Sequence, residues 1–251
     1  ERTKQVLQNL GYVRQVNYQV EHILARLAER QPEAIWDYFG ARLTKAAESG
    51  EGEERFEAIP FQFLDLPKEF SKDAQLAISK GLSWFAQDPK LFQFRGGRLL
   101  SSAFPNCTSE FAVRLTELVK VGSDTEAEFT LAILKNYDGN TSTHVVLKEI
   151  VSQYPDDSRK MSGVRNCINS TGMVSGEFGI AVAWRAKKES LTEWLADERP
   201  VVKAFAEKHI AQLNIMIASE QRRVETEREM RNRSYDEDDE LDDDEGNEEG
   251  P

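Results

Sequence analysis

Pairs of apolar helical stripes recur along the second half of this 251-residue chain, and this recurrence constrains the fold more than any other feature. The pairs begin near residues 108, 141 and 176, roughly 33 to 35 residues apart. Within each pair the apolar residues lie three and four positions apart, which places them on one face of a helix. A single helical hairpin cannot bury that face alone, so neighbouring hairpins have to stack. The recurrence therefore predicts an all-α fold.

The form of the repeat favours one kind of stack over another. The tetratricopeptide pattern of Trp, Leu-Gly and Tyr at fixed offsets is absent, whereas apolar stripes without fixed residues are typical of HEAT-like hairpins. We therefore predict a HEAT-like α-solenoid, with a compact helical bundle as the alternative that irregular copies leave open. Thr125 to Glu128 has the form of a capping box at the start of one helix. The predicted stripes are Phe111, Leu115, Leu118 and Val119; Val146, Leu147, Ile150 and Val151; Met161, Val164 and Ile168; and Ile180, Trp184, Leu191 and Leu195.

The first part of the chain also has helical spacing, in a stripe from Val13 to Leu27 and in a helix opened by Pro32. The pattern already starts at Glu1, so we expect this chain to be a C-terminal piece of a larger protein. We predict N-terminal helices over residues 1–47, a loop and extended connector over 48–70, and a helical-repeat array over 71–234.

The last helix begins with an apolar stripe and continues as alternating Arg and Glu to about Arg233, as expected of a polar cap on the array. The net charge of −12 arises mainly beyond it, because residues 236–251 hold eleven acidic residues and no basic ones. The remainder carries a charge of about −1. We predict a disordered acidic tail over 235–251, and no nucleic-acid partner, since a nearly neutral body lacks a basic footprint.

No pattern for catalysis, metal or cofactor binding is found. His22, His144 and His209 have no metal-ligand spacing, neither Cys107 nor Cys167 belongs to a metal or disulfide motif, and no nucleophile or phosphate-loop motif is present. For this fragment we predict no enzymatic activity, no cofactor and no metal, and we leave open that upstream domains are enzymatic. Two cysteines without a framework favour a reducing, cytoplasmic location, and no apolar run is long enough to span a membrane.

Three residues are candidates for contact with a partner. Arg95 and Arg98 flank the two glycines of "FRGGRLL" and suit an anionic surface, although such glycines more often serve a tight helix junction. Trp194 is a candidate aromatic anchor. The competing interpretation places Trp194 and the other aromatic residues in the core.

Several stretches resemble the C-terminal helical-repeat region of large bacterial multidomain proteins of the STAND NTPase and antiphage-defence kind. They are "ERQPEAIWDYFGARL", "FEAIPFQF", "LFQFRGGRLLSSAFP", "SGEFG" and "VVKAFAEKHIAQLNIMIASEQRRVETEREMRNR". The resemblance covers most of residues 15–234. It implies a HEAT- or TPR-like sensor that follows an effector and a nucleotide-binding switch. No Walker A or effector motif lies in this chain, so no catalytic residue is carried over.

Together these features predict a non-catalytic protein-binding or sensor module. Its expected partner is a protein, such as a phage protein or the upstream domains of the same polypeptide, and oligomers would form through the full-length protein. The alternative is a structural scaffold for oligomerisation or for autoinhibitory packing on upstream domains.

Overall fold

The computed structural model describes residues 2–48, 56–59 and 68–244, and no strand occurs among them. The predicted all-α class is confirmed for these residues. Most of the predicted connector, residues 49–55 and 60–67, lies outside the described residues, as do 245–251. The α-helices are α1 (Arg2–Gly11), α2 (Tyr18–Ala28), α3 (Pro32–Glu48), α4 (Ala74–Gln87), α5 (Pro89–Leu91), α6 (Gly97–Ala103), α7 (Ser109–Val121), α8 (Asp124–Leu134), α9 (His144–Gln153), α10 (Ser158–Asn169), α11 (Gly179–Ser190) and α12 (Pro200–Asp244).

Shorter helical segments of other types join these elements. A π-helical segment, Phe92–Gly96, connects α5 to α6. The 3₁₀ segments are Lys68–Ser71, Lys135–Tyr137, Thr141–Thr143 and Thr192–Ala196. The chain forms two compact units, Glu1–Ser170 and Thr171–Pro251, so the predicted array over 71–234 crosses the boundary between them.

In the first unit the later helices pack in two rows. Helix α8 packs against both α6 and α10, while α7 packs against α9. The apolar stripes predicted for these helices supply the packed faces: Phe111, Leu115, Val146, Ile150, Val164 and Ile168 are each fully buried. Phe85, Phe92 and Phe129 contact one another nearby, with ring centroids 5.2 to 5.8 Å apart.

The contact between α6 and α8 depends on Gly97. A Cβ atom at this position would lie 2.7 Å from the carbonyl oxygen of Ala132, which is part of the α8 backbone. Real Cβ atoms do not approach a backbone oxygen this closely, so any side chain would push the two helices apart. The second glycine of "FRGGRLL" thus serves the tight helix junction that the sequence suggested as one interpretation.

Gly97→Ala is therefore expected to lower the free energy of unfolding by about 1–3 kcal/mol, the usual cost of overpacking. Urea denaturation followed by circular dichroism would measure the loss. Gly11→Ala is the matched control, because nothing lies within 4 Å of a Cβ built at Gly11. Equal stability of the two variants would show that α6 and α8 separate at no cost.

A buried arginine holds the N-terminal part of the first unit together. Arg42 of α3 is 1% exposed, and its guanidinium donates to backbone carbonyl oxygens of two separate segments. Nη1 donates to the oxygen of Val13 at 2.7 Å, and Nε donates to that of Ala58 at 3.0 Å. The guanidinium carbon also lies 4.4 Å from the centre of the Phe56 ring. Arg42 thereby joins α3 to the α1–α2 connection and to residues 56–59.

The second unit is a hairpin of unequal helices. Helix α11 has 12 residues and packs against α12, which has 45. The buried stripe of α12 contains Val202, Ala206, His209, Leu213, Ile217 and Val224. Of the stripe predicted over 180–195, Leu191 is buried, but Ile180 and Leu195 are 37% and 36% exposed. For Leu195 the reason is that α11 ends at Ser190, and the 3₁₀ turn that follows has three residues per turn and changes the phase of the stripe.

Two helix starts differ from the predicted ones. The stripe from Val13 to Leu27 is interrupted, because Asn17 begins α2 by accepting a hydrogen bond from the Val20 amide at 3.1 Å. The capping box lies two residues earlier than predicted. Its N-cap is Ser123, whose amide donates to Glu126 Oε2 at 2.8 Å. In both cases a side-chain oxygen accepts a hydrogen bond from a backbone amide at the start of the helix, where the amide has no partner within the helix.

Helix α12 extends ten residues into the acidic segment for which disorder was predicted, and it ends at Asp244. Extending an existing helix adds one hydrogen bond for each ordered residue without a new nucleation cost. The sequence contains no Gly or Pro between Pro200 and Gly246. The remainder of the predicted tail, 245–251, lies outside the described residues.

Candidate functional site

Two inter-helix turns lie side by side at one end of the α6–α8 row. The first turn follows α6 at residues 104–108, and the second follows α8 at residues 135–143. Tyr137 donates from its hydroxyl to the carbonyl oxygen of Phe104 at 2.9 Å, and Asn140 Nδ2 donates to Asn106 Oδ1 at 3.4 Å. Ser142 Oγ also donates to the carbonyl oxygen of Asn106. These bonds fix the two turns relative to each other.

Both turns contain residues in the left-handed region of backbone conformation. Asn106 and Cys107 have φ angles of 58° and 49°, and Asp138 has a φ angle of 49°. Asn and Asp tolerate this region better than other non-glycine residues. Cys107 does not share that tolerance, so the neighbouring contacts have to hold it there at an energetic cost.

A polar cleft made of two pockets, which share Lys135 as a lining residue, lies beside these turns and along the α8 and α10 helices. Its first part has a volume of about 560 Å³ and lies between α6 and the two turns. Its second part, of about 340 Å³, lies between α8 and α10. Lys135 lines both parts, so we describe them together as the Lys135 cleft. The first part includes Arg98, Ser101, Asn106, Lys135, Asn136 and Asn140, and the second includes Gln93, Glu128, Lys135, Arg159, Asn166 and Cys167.

Two cations at the α10 end of the cleft are neutralised within the protein. Arg159 Nη1 lies 3.2 Å from Glu128 Oε1. Lys160 has a side chain that is only 3% exposed, and its Nζ lies 3.0 Å from Asp124 and 2.6 Å from Asp157. Burial acts to lower the pKa of Lys160, but the hydrogen bonds that its ammonium group donates to the two carboxylates outweigh burial and raise the pKa overall. These ion pairs tie the start of α10 to α8.

Lys135 differs from these cations. Its Nζ donates to Gln93 Oε1 at 3.5 Å, and no carboxylate of the described residues forms an ion pair with it. Burial of its surroundings lowers the pKa of Lys135, although the side chain itself reaches solvent. The cleft therefore has, at its centre, an ammonium group whose charge is not offset by a carboxylate of the described part of the chain.

Of the three residues predicted to contact a partner, two lie in the first unit and one lies in the second. Arg98 lines the Lys135 cleft from α6 and is half-buried. Arg95 lies in the π-helical segment before it and is not among the residues that line the cleft. Trp194 is fully buried in the second unit, 5.9 Å from Phe205 between ring centroids. Trp194 is thus a core residue and not a surface anchor.

Neither Lys135 nor the cleft was predicted from the sequence. The Asp138–Gly139 pair is a turn signal that marks the end of α8. A lone lysine beside such a turn carries no motif, however, and the cleft arises only when residues more than thirty positions apart are stacked. Spacing alone could have placed the turn but not the side chains that face it.

Reactive groups are buried or dispersed in the described residues. No group of three or more His, Cys, Asp and Glu side chains could hold a metal ion among them. Burial raises the pKa of both Cys107 and Cys167 to about 12. Both thiols are therefore protonated at neutral pH and poor nucleophiles.

Neither cysteine is expected to react with iodoacetamide in the folded protein at pH 8, whereas both should react in concentrated urea. At that pH fewer than about one thiol in a thousand would be thiolate if the pKa is near 12. Mass spectrometry after timed quenching would count the labelled sites. Rapid labelling of Cys167 in the native protein would show that the α8–α10 contact opens readily.

Comparisons with protein-family models, with curated proteins and with solved structures find no match to this chain. Within the described residues, no helix has both the length and the apolar character needed to cross a membrane. The candidate site therefore has to be interpreted from its own geometry.

Proposed function

We propose that this chain is a non-catalytic protein-binding module, built as a HEAT-like solenoid, and that it serves as the sensor part of a larger bacterial switch or defence protein. The observation that carries the proposal is the Lys135 cleft, which extends over α6, α8 and α10. Stacked helical repeats use extended surfaces of this kind to bind other proteins.

The regular offset between stacked residues supports the solenoid. Side chains that bond across the row are separated by a nearly constant distance in sequence. Tyr137 bonds to Phe104, 33 positions away, and Asn140 bonds to Asn106, 34 positions away. Ser170 Oγ donates to Asp138 Oδ1 across 32 positions. An offset close to the sequence repeat is what successive hairpins in register would produce.

The polarity of the cleft supports binding rather than catalysis. Its lining consists mainly of amides, hydroxyls and cations, and three of these, Arg159, Lys160 and Lys135, already have assigned contacts within the fold. General acid–base or nucleophilic catalysis requires a reactive group beside an orienting partner. The one thiol in the cleft, Cys167, has its pKa raised by burial instead of lowered.

Site-specific photocrosslinking tests this function. A photoreactive amino acid at Ser162, which is exposed and lines the cleft, is expected to crosslink to a separate protein in cells that contain the complete polypeptide. Val113 on α7 is the control position, because it is 53% exposed and lies outside the cleft.

Three outcomes would change the conclusion. Crosslinks from Ser162 only to upstream domains of the same polypeptide, or only to a second copy, would favour the scaffold function. Crosslinks of equal yield from Ser162 and Val113 would show that the cleft is not a preferred surface. Failure of both positions to crosslink any protein would refute the binding module.

A further inference from the structure

We propose that the Lys135 cleft recognises an acidic residue in a peptide segment of the partner protein, and that the carboxylate of that residue binds the ammonium group of Lys135. This inference rests on the proposed binding function and adds the chemistry of the partner. The occupant to which it commits is a peptide with a single recognised Asp or Glu, presented among uncharged residues.

Charge balance is the first argument. Arg159 and Lys160 are already paired with Glu128, Asp124 and Asp157 at distances of 3.2 Å or less. Lys135 is the cation at the junction of the two parts of the cleft, and no described carboxylate forms an ion pair with it. An ammonium group that has no carboxylate partner among the described residues is complementary to the carboxylate of a ligand.

The same balance disfavours phosphate and nucleic acid. A phosphate group carries a charge of about −1.5 to −2 at neutral pH, whereas Lys135 supplies a single positive charge. Nucleic-acid binding requires several cations aligned with successive phosphates. The ion pairs of Arg159 and Lys160 leave too few such cations along α10.

Hydrogen-bonding groups beside Lys135 suit a peptide backbone. Asn136 Nδ2 donates to the carbonyl oxygens of Ala132 and Ile133 at 2.9 and 3.2 Å, which fixes the amide with its Oδ1 left to accept. The Asn166 side chain lines the second part of the cleft and is exposed. A peptide laid along the cleft could pair its N–H and C=O groups with these amides while its carboxylate reaches Lys135.

The test uses the full chain, immobilised, and three mixtures of terminally blocked octapeptides that differ only in the central residue. That residue is Glu, Gln or phosphoserine, and the flanking positions are random but uncharged. The Glu mixture is expected to be retained roughly tenfold more than the Gln mixture. The reason is that a hydrogen bond between Lys135 and a carboxylate is stronger than one between Lys135 and a neutral amide.

Variants of the protein assign the effect to Lys135. Lys135→Gln should abolish the preference for Glu over Gln, and Lys135→Arg should restore it, since the charge is kept. Lys120→Gln on α7 is the matched control, because Lys120 is exposed and lies outside the cleft. All three variants should melt like the unchanged protein, since neither lysine is buried.

Several results would overturn the inference. Equal retention of the Glu and Gln mixtures, or an undiminished preference in Lys135→Gln, would exclude a carboxylate site at Lys135. Stronger retention of phosphoserine than of Glu would assign a phosphate site. Carbodiimide coupling of the chain alone that joins Lys135 to residues 236–250 would make the acidic segment of this chain the occupant in place of a partner.

The two proposals fail separately. If Ser162 crosslinks a separate protein while the peptide mixtures show no preference for Glu, the binding module stands and the carboxylate site does not. If the Glu preference is found and depends on Lys135, but Ser162 crosslinks no protein, the cleft binds acidic peptides without serving as the sensor surface.

Discussion

Replacement of Trp194 by alanine is expected to lower the free energy of unfolding of the second unit by about 3–5 kcal/mol. Trp194 is fully buried, and its ring lies 5.9 Å from that of Phe205, which in turn lies 5.8 Å from the His209 ring. Removing the indole deletes the largest side chain of this core and leaves a cavity lined by α12. A unit of this size has few other large buried side chains to offset the loss.

Urea denaturation monitored by far-ultraviolet circular dichroism would measure the change, since most of the signal of this unit comes from α11 and α12. Leu195→Ala is the matched control, because Leu195 is the next residue and is 36% exposed. The control should cost less than about 1 kcal/mol. A loss of similar size in Trp194→Ala would mean that the ring does not contribute to the core, and the surface-anchor interpretation would return.

The second large effect is expected at Arg42. Arg42→Ala should lower the free energy of unfolding of the first unit by about 3–5 kcal/mol, because it leaves several buried carbonyl oxygens without a donor. The oxygens of Val13 and Ala58 lose bonds of 2.7 and 3.0 Å, and the Phe56 ring loses the cation above it. Burial lowers the pKa of Arg42, but a guanidinium remains protonated in proteins.

Arg42→Lys should recover only part of the loss, since an ammonium group keeps the charge but lacks the planar fork that reaches two segments at once. Arg26→Ala on α2 is the control for removal of an exposed arginine. Thermal melting of the three variants would rank them. If Arg42→Lys were as stable as the unchanged chain, charge alone would suffice and the geometry of the fork would be irrelevant.

The helices of this protein follow from local sequence rules, and for that reason they could be predicted. Stripes such as Phe111–Leu115 and Val146–Ile150 place apolar residues on one face, and the structure buries them. Arg42 could not be found in this way, because its acceptors are backbone oxygens that carry no sequence signature and lie up to 32 positions away.

The same distinction applies to the candidate site. Arg98 was identified from its neighbours in the sequence, as a cation beside two glycines, and it does line the cleft. Lys135 was not identified from the sequence. Its lack of a carboxylate partner among the described residues is a property of the folded arrangement and has no sequence signature. For Trp194 the sequence left two interpretations open, a surface anchor and a core residue, and the structure buries the ring against Phe205. Composition predicts the type of group, but packing decides its exposure and its neighbours.

The unequal lengths of α11 and α12 have a consequence for the dynamics of the second unit. At 1.5 Å per residue, α12 is about 67 Å long and α11 about 18 Å. The buried stripe of α12 includes Leu213 and reaches Val224, and Arg231 still contacts Glu177 at 2.5 Å. Local opening is easier where tertiary contacts end, so backbone amide protons should exchange slowly around Leu213 and progressively faster beyond Arg231. Binding of a ligand to the C-terminal end of α12 would then be detected as slower deuterium uptake in the last turns of this helix.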